Sequence, residues 1–356
     1  MSGETFVLDG RVIGAGAPPY IIAELSGNHN GDIERAFALI EAAAEAGVDA
    51  VKFQTYTADT LTLDHDGPGF RIEGGPWDGR TLYELYKEAA TPWEWHPDLF
   101  EKVRALGMTP FSSGFDPTAI DFLAGLDCPA YKIASFEIVD LPLIEKAAAT
   151  GKPLIISTGL ATREEIGDAV KAAQRSGCDQ LALLHCTSGY PTPPEDSNLA
   201  SLVDLAERFG TVVGLSDHTL GIAVPVAAVA LGAAIIEKHV TLRRADGGPD
   251  AGFSLEPEEL AALVDACRTA SSAIGHAGDK PAPSEQANRA FRRSLYVIED
   301  VEKGEAFTAA NVRSIRPSRG MAPKYLPSII GCRAARSIAR GTPLERSLVE
   351  AVPEIS

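Results

Sequence analysis

Eight short apolar runs, each separated from the next by a helical pattern, constrain this 356-residue chain more than any other feature. They are YIIAEL from Tyr20, AVKFQT from Ala50, TPFSS from Thr109, AYKIAS from Ala130, PLIIST from Pro153, LALLHC from Leu181, VVGLS from Val212 and AAIIEKH from Ala233. Such runs fit strands buried on both faces. The segments between them, such as DIERAFALIEAAAEAG and EEIGDAVKAAQRSG, repeat apolar residues every three or four positions, with Gly47 and Gly177 placed to end each helix. Strand and helix alternating in this way specify βα units and a parallel sheet. The eight units end near Gly275, the length at which a (β/α)8 TIM barrel closes. One connection is long: GPGFRIEGGPWDGRTLYELY, between the second and third runs, predicts a loop excursion of the kind that shapes a substrate site.

The alternation stops after Gly275. GHAGDKPAPSEQ has the composition of a linker, and the short β-like pieces beyond it, in RSLYVIEDVEKGEAFTAANVRSIRPSRG and ARSIARGTPLERSLVE, read as a second, small domain. The expected organisation is a catalytic barrel over residues 1–277, a linker over 278–291 and a small domain over 292–356. A domain that small is marginal alone and is expected to dock on something larger.

Charge and cysteines narrow the function. Lys and Arg total 32 against 49 Asp and Glu, a net charge of −17, so nucleic acid and anionic membranes are expected to be repelled. An anionic substrate then needs a local cluster of basic side chains. The five cysteines are odd in number and lack C-x-x-C spacing, which argues against a disulfide framework or a zinc knuckle and fits a reducing cytoplasm. MSGETFVLDGRVIGAG has no secretory pattern, and no apolar stretch reaches membrane-spanning length, so a cytoplasmic protein is expected.

In a barrel of this type the C-terminal ends of the strands face the active site. Here those ends carry Glu24; Lys52 and Gln54; Ser112 and Ser113; Lys132, Ser135 and Glu137; Ser157 and Thr158; His185; Ser216, Asp217 and His218; and Glu237, Lys238 and His239. A single Ser or Thr after a strand is most often a helix cap. Polar ends on all eight strands point to a site. His218 and His239 end consecutive strands, and two neighbouring imidazoles with water or substrate oxygens suit a divalent cation such as Mn2+. The alternative is that each only makes hydrogen bonds. Asp217 is expected in the shell behind the metal, His185 in the core or that same shell, and His29, in SGNHNG, in a loop orienting the site; His65, His96 and His276 carry no motif. Lys52 and Lys132, with the hydroxyls of Ser113, Ser135 and Ser157 and the following helix N-termini, form a candidate anion site. Glu24 and Glu137 either orient a substrate hydroxyl or water as general acid or base, or neutralise the lysines.

The motifs ELSGNHNG, VKFQTYTADTLTL, YKIASFEI, IISTG, LLHCTSGYPTP, GLSDHT, IEKH and GGPDAGFS together resemble the sialic acid synthases, which condense phosphoenolpyruvate with an amino sugar. The resemblance covers nearly the whole chain. ELSGNHNG, LYELYKEAATPWEWH and SFEIVDLPLI are most similar to the pseudaminic acid branch, and the C-terminal part resembles the small SAF, or antifreeze-like, domain. The resemblance implies a metal-dependent condensation of phosphoenolpyruvate with 2,4-diacetamido-2,4,6-trideoxy-L-altrose. It implies Mn2+, with Mg2+ or Co2+ as alternatives, on His218 and His239. Lys52, Ser113, Lys132, Ser135, Ser157 and Ser216 hold phosphoenolpyruvate; Glu24 serves the water; Glu137, Gln54, Tyr190 and Asp250 contact the sugar. Arg316 reaches the substrate from the SAF domain of a partner subunit in a domain-swapped homodimer. One departure is Gly114, where the branch commonly has proline, and this is expected to free the backbone beside Ser113. Phe70, Trp77 and Phe136 suit a 6-deoxy sugar with acetamido groups, or are loop anchors. The competing readings are an N-acetylneuraminic or legionaminic acid synthase, another metal-dependent aldolase-type barrel, and an ice- or carbohydrate-binding module on an inert barrel.

Overall fold

A computed structural model describes residues 5–14, 16–275, 277–278 and 281–350. His276, part of the expected linker and the last six residues of the expected C-terminal domain lie outside the described residues. The chain divides into two compact units, Met1–Gly275 and His276–Ser356.

The first unit opens with a hairpin, β1 (Thr5–Leu8) and β2 (Arg11–Gly14), turned by Asp9 and Gly10, both at positive φ. Eight parallel strands follow: β3 (Tyr20–Glu24), β4 (Ala50–Thr55), β5 (Thr109–Gly114), β6 (Tyr131–Ile133), β7 (Leu154–Ser157), β8 (Leu181–Cys186), β9 (Val212–Asp217) and β10 (Ile235–His239). They are the eight runs of the sequence, and β10 pairs with β3 to close the barrel. Helices between them pack outside, and their starts follow capping rules. Asp32, Thr162 and Asp116 accept backbone N–H groups at the heads of Ile33–Ala46, Arg163–Arg175 and Pro117–Gly125. Gly47 ends the first of these at φ 79°.

The hairpin was not expected. It lies against the strand starts: Arg11 pairs with Asp49 and stacks over Tyr20, Thr109 Oγ1 donates to Asp9 at 3.1 Å, and Phe6, Leu8 and Ile13 join the barrel core. One end of the barrel is thus plugged, leaving the strand C-termini as the open face.

The second unit pairs β11 (Ser294–Val297) with β12 (Val312–Ile315) over a separate core of Leu295, Val297, Phe307, Val312, Leu344 and neighbours. The stretch expected as a linker contains exposed 3-10 turns at Pro283–Glu285 and Ala287–Phe291 and groups with this unit. Arg316 follows β12 and is exposed. The loop after it is shaped by buried Ser294, whose hydroxyl donates to the Pro317 carbonyl and accepts the N–H groups of Arg319 and Gly320.

Candidate active site

Side chains alternate along a strand, so at each strand's C-terminal end every second residue enters the barrel mouth. There they line a cavity of about 400 Å³. Its floor is ionic. Lys52 Nζ lies 2.6 Å from Glu24 Oε2, 3.5 Å from Glu237 Oε1 and donates to Ser113 Oγ at 3.1 Å, while Gln54 donates to Glu24 at 2.9 Å. Lys132 Nζ donates to Ser157 Oγ at 2.7 Å and to the Ile133 carbonyl. Ser135 Oγ accepts the Gly159 N–H at 3.1 Å, and Ser216 Oγ donates to Glu237 at 3.3 Å. Tyr190 packs on His218 with the rings tilted by 48° and their centroids 4.5 Å apart, and Asp250 Oδ2 is 3.7 Å from His239 Nδ1. The barrel residues expected to bind phosphoenolpyruvate, the sugar, the water or the metal therefore line this one cavity, whereas Ser112, Thr158, His185, Asp217 and Lys238, also polar strand ends, do not. Arg316 belongs to the second unit.

The charges in the floor are unequal in state. Burial lowers the pKa of Lys132. Burial also works against a charged Lys52, but Glu237 and Glu24 outweigh it and hold this ammonium above its usual range. Glu24 is raised, first by burial, whereas in Glu237 the two lysines overcome burial and keep the carboxylate ionised. Glu24 lies against Lys52, the contact that one reading of the sequence held, while the carboxylate kept ionised beside this lysine is Glu237. Glu137 does not pair with a lysine: its Oε2 has no partner and burial raises its carboxyl to about 7.

His218 and His239 face each other with ring centroids 5.2 Å apart. His218 Nδ1 donates to the Thr187 carbonyl at 3.0 Å, which leaves Nε2 as its lone-pair nitrogen. Burial opposes a charge on His218, but Cys186 and Thr187 raise its pKa, so a metal ion would compete there with a proton. His239 Nδ1 is buried without a hydrogen-bond partner, and burial followed by repulsion from His218 keeps this ring neutral, the form that ligates. Among the described residues no group of three or more His, Cys, Asp or Glu has metal-binding geometry. The pair therefore fits an ion whose other ligands are water or substrate oxygens.

Several expectations need correction. Asp217 and Lys238 are not in the cavity: Asp217 turns from His218 toward Lys238, and the shell behind His218 is the Thr187 carbonyl instead. His185 Nε2 donates to the Ser197 carbonyl at 2.6 Å, outside the cavity as a core residue would be, and His29, in the loop after β3, is buried against Thr91 and Trp95 without lining the cavity. Gly114 pairs with Thr55 in ordinary strand geometry, and a Cβ there would fall 2.6 Å from Ile120 Cδ1, so the glycine makes room for the following helix and does not loosen Ser113. Phe70 packs on His65, outside the cavity, while Trp77 and Phe136 do line it.

The cavity's other side is apolar, and of its residues only Trp77 and Phe136 were singled out from the sequence. Leu61, Ile72 and Trp77 come from the excursion between β4 and β5, and the helix Leu82–Ala89 adds Leu82, Leu85, Tyr86 and Ala89. Trp77 Nε1 ties this wall to the Pro249 carbonyl at 2.8 Å, and a capping box of Thr81 and Glu84 starts the helix. A signal existed. The four helix residues sit at i, i+3, i+4 and i+7, a stripe that ordinarily marks a core face.

Comparison with known proteins agrees with this geometry. The NeuB family model matches residues 39–279 and the SAF domain model residues 292–350. The pseudaminic acid synthase of Helicobacter pylori is 45% identical over 334 residues, covering 94% of this chain and 98% of that protein. That of Campylobacter jejuni serotype O:23/36 is 47% identical, covering 92% and 96%. The crystal structure of an N-acetylneuraminic acid synthetase from Leptospira borgpetersenii, in complex with citrate, superposes with a TM-score of 0.73 at 33% identity, covering 81% of this chain and 95% of that one.

Proposed function

The chain belongs to the NeuB family, and from that premise we propose that it is a pseudaminic acid synthase, a phosphoenolpyruvate-dependent enzyme that makes a nonulosonic acid from 2,4-diacetamido-2,4,6-trideoxy-L-altrose. The observation that carries this reading is the division of one cavity into an ionic floor and an apolar wall. The floor suits a carboxylated phosphate ester. The wall suits a sugar that has a methyl in place of the hydroxymethyl group and acetamido groups in place of two hydroxyls, and relatives bearing this activity stand at 45–47% identity against 33% for the N-acetylneuraminic relative.

C3 of phosphoenolpyruvate forms a bond to the aldehyde carbon of the open-chain sugar, water adds at C2, and phosphate leaves with its bridging oxygen. Lys132 and Lys52 hold the phosphate and carboxylate, with Ser113, Ser135, Ser157 and Ser216 fixing their oxygens. Glu24, hydrogen-bonded to Gln54 and paired with Lys52, positions the water that adds at C2. Glu137, protonated over half of the neutral range, donates to a sugar oxygen, and Gln54, Tyr190 and Asp250 complete the sugar contacts. His218 and His239 would hold a divalent cation, Mn2+ in first place and Mg2+ or Co2+ on the same ligands, which when bound supplies Lewis-acid polarisation of the aldehyde. Arg316 completes the site from the second unit of a partner subunit, in a domain-swapped homodimer working in the cytoplasm.

The test is phosphate release from phosphoenolpyruvate with a panel of sugars, with chelator or added Mn2+. Turnover with the altrose derivative, lost in chelator and restored by Mn2+, is expected. Turnover only with N-acetylmannosamine or the legionaminic precursor moves the protein to a sibling branch, and no turnover with any sugar overturns the reading.

A further inference from the structure

The two metal-site histidines share a buried node behind them. On β9 Ser216 enters the cavity, Asp217 points the other way, and His218 just past the strand enters it again; on β10 Glu237 and His239 enter it and Lys238 does not. Asp217 and Lys238 are register partners. Lys238 is 0% exposed and Asp217 4%, and Lys238 Nζ donates to Asp217 Oδ2 at 2.5 Å and to the Thr219 carbonyl. Asp217 in turn accepts the Thr219 hydroxyl at 2.9 Å and the Thr219 N–H at 3.2 Å. The carboxylate therefore spans the residues on either side of His218, and the ammonium, on the residue before His239, binds both.

We propose that the Asp217–Lys238–Thr219 node is the positioning element of the metal site: it sets the separation and tilt of the His218 and His239 rings through the two backbones that carry them. The proposal rests on the reading of His218 and His239 as metal ligands. A buried ion pair is a poor way to gain stability, because well-packed apolar replacements are often as stable or more so. Its use lies in geometry. The pair has one satisfied arrangement, and that arrangement fixes strand register and the turn at His218 together. Nothing in the node touches the cavity, so Asp217 and Lys238 act only through the histidines.

The test uses the full chain and Mn2+ alone. Binding is read from the electron paramagnetic resonance signal of free Mn2+, and folding from thermal denaturation. In the double variant Asp217→Asn, Lys238→Met no buried charge is left unpaired and the Thr219 N–H keeps its acceptor. We expect a folded protein whose Mn2+ affinity is weaker by roughly tenfold or more, the scale at which outer partners of metal ligands act. Its KM for phosphoenolpyruvate is expected to stay unchanged while that for the sugar rises. A folded double variant that binds Mn2+ as tightly as the parent overturns the proposal and leaves the proposed function standing. A parent that binds no Mn2+ overturns this proposal and the reading of the two histidines as its ligands, while the sugar panel decides the proposed activity separately. Should the double variant not fold, Thr219→Val reads the same node by a smaller deletion, with weaker Mn2+ binding expected and unchanged binding again overturning the proposal.

Discussion

The cavity's floor is built from strand ends, each held in register by hydrogen-bonded neighbours on both sides, whereas its wall is built from an insertion held by two capping boxes, a few local backbone hydrogen bonds around Ile72, a hydrogen bond from Trp77 and its own apolar stripe. The floor's polar groups bind one another: Lys132 to Ser157, Lys52 to Ser113 and Glu24, Ser216 to Glu237. Among the described residues the wall meets the barrel side of the cavity through ring contacts, Trp77 with Tyr190 and Tyr86 with Tyr56. Under the proposed function, activation of phosphoenolpyruvate falls to the rigid part and choice of sugar to the part that sequence change reaches most easily. That division also explains how one barrel serves relatives that act on different sugars.

Three changes press on this division. The largest effect is expected from Lys132→Ala, which removes a buried ammonium from the floor. At about 3 kcal/mol for a charged hydrogen bond, kcat/KM for phosphoenolpyruvate should fall roughly a hundredfold with every sugar tried. A loss confined to one sugar would break the comparison. Next comes Ile72→Ser in the wall, a half-buried loop position whose change spares the core. A methyl-sized apolar contact is worth about 1–3 kcal/mol, so kcat/KM for the 6-deoxy sugar should drop about tenfold and its advantage over N-acetylmannosamine should shrink, with KM for phosphoenolpyruvate unmoved. Competition assays with both sugars measure this directly. The smallest is Glu137→Gln. A carboxyl raised to about 7 is mostly protonated at pH 6 and mostly ionised at pH 8, so the parent's KM for the sugar should climb as pH rises through about 7. Glutamine keeps a donor at all pH values, so the variant's KM should stay flat, differing from the parent by only about twofold at pH 7. A limb that persists in the variant would assign the titration to another group.

Most of the floor was legible in the sequence because period and position decide it: a residue at the C-terminal end of a parallel strand has few places to go. The same rule over-predicted. Asp217 and Lys238 occupy strand ends as polar as their neighbours, but one step along a strand turns a side chain to the other face, and the apolar runs carry no mark of which parity enters the mouth. The wall was hidden for the opposite reason. Leu82, Leu85, Tyr86 and Ala89 have the spacing of a core stripe, and only the fold reveals that this stripe covers a cavity. The N-terminal hairpin did carry a signal, Asp9–Gly10 between short apolar pieces, which is among the strongest for a two-residue turn. Arg316 was placed in the second unit by sequence, and it lies exposed after β12 there.

The mutual hydrogen bonding of the floor bears on the rate as well as on the fold. Lys132, Lys52, Ser157 and Ser216 already sit in the dipole arrangement that charged oxygens need. Under the proposed function the cavity would serve as a frozen solvent: an arriving anion would exchange partners that are already oriented, and little reorganisation would be left for the moment when charge moves from enol ester to departing phosphate.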